Sequence, residues 1–376
     1  HFGRHVHTVG LCHQVYEVRT QRSGGGRKRR GGQAVRDKRG QKQDRGFCGG
    51  GSGICFRRDS SCLKAFVGAA FVGRRPEPSG AGGGVCITAN HINNREHLFS
   101  GGLIFRKEVM KMDIGVSTAC LYPLETEKAL YELAERGVKN VEIFVNSIDE
   151  LEGQVLVELR RIIGEYGMNV LSMHPFSSPM ETLFLFGDYP RRTEYLIDIY
   201  KRYFEVMAEI GAGVFVLHGA ILSSKVPDER YMERYLRLFR LAKEFGVTVA
   251  QENICYCKSS SVRFIEDMIG QLGDEVRFVV DLKQARRSNV DPFRLLDIIG
   301  DKVVHLHVSD GDAGCDCLPI GKGSFNFNRL FSELEKINYD KAMIVELYRE
   351  NYSSYDELAV CANNMKKIYD KYKMGL

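Results

Sequence analysis

From residue 113 to the end, the chain repeats one pattern eight times: a short apolar run, then a stretch with the 3.6-residue period of an amphipathic helix. The runs are DIGVSTA (113–119), NVEIFV (140–145), NVLSMHP (169–175), VFVLHGA (214–220), VTVAQEN (247–253), VRFVVD (276–281), VVHLHVSD (303–310) and AMIVELY (342–348). Helix-period stretches between them include TEKALYELAERG (126–137), YLIDIYKRYFEVMAEIG (195–211) and RYLRLFRLAKEFG (234–246). Gly137, Gly167, Gly211 and Gly246 close helices as C-terminal caps should. Alternation of this kind predicts a parallel sheet with covering helices, and eight pairs fit one (β/α)8 TIM barrel of about 250 residues. A doubly wound open sheet would need a glycine-rich phosphate turn after its first strand, and CLYPLE (120–125) is not one.

The rest of the chain is unlike this. Residues 1–111 carry 21 Lys/Arg against 7 Asp/Glu, so the remainder has 32 basic and 41 acidic residues, and the overall +5 averages two opposite pieces. The first piece contains GGGRKRRGG (24–32), CGGGSG (48–53) and GAGGG (80–84), with no sustained period. Such a stretch cannot bury enough apolar surface to offset chain entropy, so it is expected to be disordered. An RGG-like nucleic-acid-binding arm is one reading. Sparse aromatics, not interleaved with the arginines, argue against it, as do five cysteines without metal spacing. The other reading is a translated leader: Lys107-Glu108-Val109, shortly before Met112, is what a ribosome-binding site AAGGAGGT would encode if translated. The domains expected are therefore a Gly/Arg-rich segment, 1–111, and a barrel, 112–376, with a natural start at Met112 or Met110.

No apolar stretch reaches the roughly 20 residues that span a bilayer, and the start of the chain lacks the apolar region of a signal peptide. Eleven cysteines, six of them in the barrel piece, show no even disulfide framework, so a reducing, cytoplasmic setting is expected.

The last four strands each end on a residue that can bind a metal: Glu252, Asp281, His307 and Glu346. Alternate residues of a barrel strand point inward, and the C-terminal strand ends form the active face. Carboxylates packed there repel one another unless a cation compensates. Three carboxylates and an imidazole suit Mn²⁺, Mg²⁺, Co²⁺ or Zn²⁺. His174 and His218 end strands three and four, and could hold a second metal through Glu252 or contact substrate hydroxyls or phosphate. His305 lies one layer deeper, as a core residue. Glu142 on strand two is either a substrate-facing or a supporting carboxylate.

The quartet, in the contexts QEN, VVD, HVSD and VEL, resembles that of the xylose-isomerase-like barrels, a superfamily of sugar and sugar-phosphate isomerases and epimerases together with the endonuclease IV family. LPIGKGSFNF (318–327) is similar to that family's turn after strand seven. For the epimerase branch, the resemblance implies one divalent metal on Glu252, Asp281, His307 and Glu346, with Glu252 and Glu346 exchanging a proton on opposite faces of a sugar or sugar phosphate through a metal-stabilised enediolate. Substrate contacts would fall to His174, His218, Gln284 and Glu142. Gln284 departs from the pattern, which usually has a substrate-binding His there. The alternative is a zinc phosphodiesterase acting on abasic DNA, with His174, His218 and Glu252 as one zinc site and the quartet as another. Its third zinc would need histidines where this chain has Gln284 and Cys315-Asp316-Cys317, and a barrel with excess acid is a poor footprint for nucleic acid. A barrel that binds a sugar without catalysis is the third class.

Two further features lie on strand-end loops. Cys255/Cys257 and Cys315/Cys317 offer thiolate ligands at a spacing one residue short of the common one, or are free thiols. Gly321-Lys322-Gly323-Ser324 is a turn that could receive phosphate. Strand-end loops also commonly pair two such barrels, which makes a homodimer the assembly to test. Intact-mass analysis or N-terminal sequencing of the protein from its native source should find a start at Met112 or Met110; a start well upstream would overturn the leader reading.

Overall fold

The computed structural model describes residues 112–176 and 180–375, and at the start of the chain the backbone of a short antiparallel hairpin, Thr8–Leu11 with Gln14–Glu17. The remaining expectations for residues 1–111 lie outside the described residues.

Eight parallel strands close into a barrel in sequence order, the eighth pairing with the first. They are β1 (Asp113–Ser117), β2 (Asn140–Val145), β3 (Asn169–Pro175), β4 (Val214–Leu217), β5 (Thr248–Glu252), β6 (Phe278–Asp281), β7 (Val303–Val308) and β8 (Ala342–Val345). The helices that return the chain are α1 (Thr126–Glu135), α2 (Gly153–Tyr166), α3 (Pro190–Ile210), α4 (Asp228–Lys243), α5 (Val262–Leu272), α6 (Pro292–Ile299), α7 (Phe327–Lys336) and α8 (Asp356–Met374). Among the described residues no helix is long and apolar enough to cross a membrane.

The predicted runs are the observed strands, several of them shorter at one end. Two helices begin earlier than the apolar period indicates. α3 starts at Pro190, whose fixed φ suits a first helical position. α4 starts at Asp228, with Asp228 and Glu229 in the first turn, where acidic side chains face the positive end of the helix dipole. Gly137, Gly167, Gly211 and Gly246 all have positive φ, between 56° and 79°, as C-terminal caps require.

Outside the ring, strands and helices share one apolar core. Phe215 of β4 is fully buried there, with ring centroids 4.9 Å from Tyr200, 5.6 Å from Tyr203 and 5.3 Å from Phe204, all on α3. Inside the ring the filling changes character. Val216, Ala250, Val279 and Val304 form a small separate apolar cluster, whereas Ser117, Glu142, Ser172 and His305 are buried polar residues. Register lines these up: Ser117 pairs with Glu142, Glu142 with Ser172, Val279 with His305, and Asp281 with His307. Gly115 keeps the interior open at β1, since a Cβ there would lie 2.6 Å from the Asn140 carbonyl oxygen and 2.8 Å from Ile344 Cδ1.

Phe215→Ala should cost about 3–5 kcal/mol, through lost burial and the cavity left against α3. Gly115→Ala should cost about 1–3 kcal/mol, because the neighbour at 2.6 Å is backbone and cannot swing away. Chemical denaturation of each variant against the parent protein measures both; a change below about 0.5 kcal/mol in either would contradict the packing described.

Candidate active site at the strand ends

Glu252 and Asp281 are the last residues of β5 and β6, His307 is next to last in β7, and Glu346 follows the end of β8. One ligand atom from each lies within 4.8 Å of the others, and all four side chains are buried. His307 is the hub. Its Nδ1 is 3.0 Å from Glu252 Oε1, 3.4 Å from Glu346 Oε2 and 3.8 Å from Asp281 Oδ2, while its Nε2 is 3.0 Å from Glu142 Oε2. Burial opposes charge on this imidazole, but Glu142, Glu252 and Glu346 outweigh it and raise the pKa well above the ordinary histidine value. The reciprocal effect acts on Glu252: burial alone would raise its pKa, yet the charge and hydrogen bond of His307, with the His174 and His218 imidazoles beside it, hold it well below the usual carboxylate range.

His174 and His218 come together on the other side of Glu252. Their Nε2 atoms are 2.8 Å apart, and they lie 3.6 Å and 3.2 Å from Glu252 Oε2. His174 Nδ1 is 3.0 Å from the Pro175 carbonyl; donating to it fixes the tautomer and turns the Nε2 lone pair toward His218. Glu252 Oε2 is buried and accepts no hydrogen bond from the described residues. Two imidazole nitrogens beside an unsatisfied carboxylate oxygen are what a cation would complete. His174, His218 and Glu252 form one such group and the quartet another, sharing Glu252, and the residues therefore fit a divalent ion.

Glu142 lies one layer down, fully buried, where Ser172 donates to its Oε2 at 2.8 Å and His305 Nε2 is 3.3 Å away. His305 is itself 3.1 Å from the Ser172 hydroxyl, and burial lowers its pKa. Gln284 is buried; its Oε1 accepts from the Cys255 N–H at 3.3 Å, and its own N–H donates to Asp281 Oδ1 at 2.9 Å.

Several members of the site carry no sequence signal of the kind that marks the quartet. Lys283 is 2% exposed, and its ammonium is ion-paired with both Asp281 Oδ2 and Glu346 Oε2. Asp281 caps the helical turn Leu282–Arg287, and Lys283 is the second residue of that turn, so its stem folds back over the strand end. The clue available in VVDLKQA was a lysine two residues after a strand-end aspartate in an otherwise apolar stretch. Burial, with Glu252 and Glu346 nearby, pushes the Asp281 pKa up to about 6, although Lys283 opposes the shift. Asn253 locks the same strand end: its Oδ1 accepts from the Asp281 N–H at 2.7 Å, and its Nδ2 donates to the Asp281 carbonyl at 3.1 Å. Glu181, on the segment after β3, is buried, accepts from the Tyr200 hydroxyl at 2.8 Å and from the Gly219 N–H, and has a pKa raised by burial.

Beyond β7, Asp310 organises the loop containing Gly321-Lys322-Gly323-Ser324. It accepts from the N–H groups of Gly311 at 2.8 Å, Gly321 at 2.9 Å and Phe325 at 3.0 Å. Among the described residues neither Cys-x-Cys pair joins a metal-type cluster. None of the four is in a disulfide, and Cys257 and Cys317 are buried and directed at the carbonyls of Gly219 and Glu346.

A family model described as the xylose isomerase-like TIM barrel matches residues 130–369. An uncharacterized protein of Methanocaldococcus jannaschii is 28% identical over 267 residues, covering 68% of this chain and 99% of its own length. Fructoselysine 3-epimerase of Escherichia coli O157:H7 is 22% identical over 249 residues, covering 63% and 90%. Among solved structures, a D-tagatose 3-epimerase-like protein superposes with a TM-score of 0.57 at 18% identity, covering 70% of this chain and 97% of its own. The IolI protein with a bound zinc atom superposes with a TM-score of 0.57 at 18% identity, covering 69% and 99%. The chain belongs to the xylose isomerase-like TIM barrel family.

Proposed function

We propose that this chain is a divalent-metal-dependent isomerase or epimerase of a sugar or sugar phosphate. The observation that carries the reading is the pair of buried glutamates, Glu252 and Glu346, brought from different strands to one imidazole nitrogen, His307 Nδ1, at 3.0 Å and 3.4 Å. Epimerisation beside a carbonyl needs a base to remove a proton from carbon and an acid to return one on the other face; two carboxylates can divide those roles. The names of relatives and neighbours, fructoselysine 3-epimerase, D-tagatose 3-epimerase-like protein and D-psicose 3-epimerase, support this chemistry and a sugar substrate.

Glu252, Asp281, His307 and Glu346 would hold the metal, with His174 and His218 available to a second ion or to substrate hydroxyls. When bound, the ion would polarise the substrate carbonyl and stabilise the oxyanion that develops on proton removal. The protein's own contribution is positional. His307, 3.0 Å from Glu252 Oε1, holds this carboxylate in the ionised form that a base needs. Asn253 and the Asp281 cap fix the strand end beside it. Gln284, buried at the mouth, would contact substrate where the epimerase pattern has a histidine.

The phosphodiesterase reading keeps one observation in its favour, the His174–His218–Glu252 group that shares Glu252 with the quartet. Gln284 and the Cys315-Asp316-Cys317 sequence leave it without its third site, and the acid excess of the barrel piece disfavours DNA. A reducing, cytoplasmic setting is the location proposed, and a homodimer the assembly to test.

Elemental mass spectrometry of a chelator-free preparation should find manganese, cobalt, magnesium or zinc bound to the chain. In a panel of ketoses and their phosphates run in D₂O, the accepted substrate should take up solvent deuterium at the inverted carbon. Glu252→Gln and Glu346→Gln should each lower kcat by about 10²–10⁴-fold. Turnover without deuterium uptake, or full activity in either variant, would overturn the proton-transfer assignment; nicking of abasic DNA by a zinc-loaded protein would favour the phosphodiesterase.

A further inference from the structure

Lys283 stands where the proposed metal site has least room for another cation. Its ammonium is ion-paired with Asp281 Oδ2 and Glu346 Oε2, on two of the four candidate ligand residues. The side chain is buried, with its Nζ 5.8 Å from the Tyr348 ring centroid. Neither carboxylate is idle without it. Asp281 Oδ1 caps the turn that carries the lysine, and Glu346 Oε2 lies 3.4 Å from His307 Nδ1. The other edge of the site differs: Glu252, His174 and His218 meet with no ammonium among them, and Glu252 Oε2 has no donor.

We infer that Lys283 is a built-in cation of this site, occupying the Asp281–Glu346 edge and competing there with a divalent ion. This rests on the metal-site reading above. For an ion to bind all four ligands, Lys283 must withdraw from two buried carboxylates, or two positive charges must share them at a few ångströms in a poorly solvated mouth. Both routes weaken binding. The competition acts on the Asp281–Glu346 edge, so an ion seated toward Glu252, His174 and His218 is affected least.

The test uses the full chain and Co²⁺ as the probe, followed by calorimetry and by its visible absorption. Lys283→Met removes the charge and keeps the volume. Lys283→Gln removes the charge and keeps hydrogen bonding to both carboxylates, which guards against a Met variant that fails to fold. Each variant should bind Co²⁺ at least roughly tenfold more tightly than the parent. Without metal, each should melt at a lower temperature than the parent, because two buried carboxylates lose their counter-ion. Saturating Co²⁺ should then raise the melting temperature more in the variants than in the parent. Equal or weaker Co²⁺ binding by the variants, with the parent still binding, would overturn the competition and leave the metal site standing. No Co²⁺ binding by parent or variants would overturn both.

Discussion

The energetic problem of this protein is the gathering of four carboxylates, Glu142, Glu252, Asp281 and Glu346, inside one barrel mouth away from water. An uncompensated buried carboxylate is costly, and several together are worse. Three devices offset that cost. His307 faces two carboxylates with Nδ1 and Nε2 and lies near a third. Lys283 spans Asp281 and Glu346. Ser172 and His305 serve Glu142 in the layer below. What these groups leave unmet is concentrated on Glu252 Oε2, between two histidines. The residual need for positive charge is therefore local, and it falls within the His174–His218–Glu252 group that shares Glu252 with the quartet.

The scaffold makes such a mouth affordable by keeping its apolar packing elsewhere. The large aromatic cluster of Phe215 with Tyr200, Tyr203 and Phe204 lies between β4 and α3, outside the ring. Inside the ring, the small residues Gly115, Ser117 and Ala250 share space with polar ones. The strand ends are then tied to their loops by single side chains. Asn253 brackets the backbone of Asp281, and Asp310 gathers three N–H groups of the loop after β7. Rigid placement of this sort suits proton transfer between groups held at fixed separations.

Much of this was legible in the linear sequence because the signals are local. The alternation of apolar runs with 3.6-residue periods requires only neighbouring residues to agree, and it indicated eight strands in a ring. Helix starts were less legible where the first turn is polar, as at Pro190 and Asp228, because an exposed turn has no apolar period to display. Strand parity likewise pointed Glu252, Asp281, His307 and Glu346 toward the interior, since alternate residues of a strand face the same side.

Which of those side chains touch was decided by closure of the barrel. Glu142 and His307 are 165 residues apart in sequence, and Lys283 and Glu346 are 63 apart; neither contact has a local signature. Lys283 in particular reads as an ordinary solvated helix residue until the cap at Asp281 bends its stem back over the mouth. The sequence by itself determined the kind of barrel and the residue types on its strand ends, because periodicity and residue chemistry are properties of the chain. Only the tertiary structure decided how their charges are shared, because electrostatic pairing depends on distance and burial that no short window of residues contains.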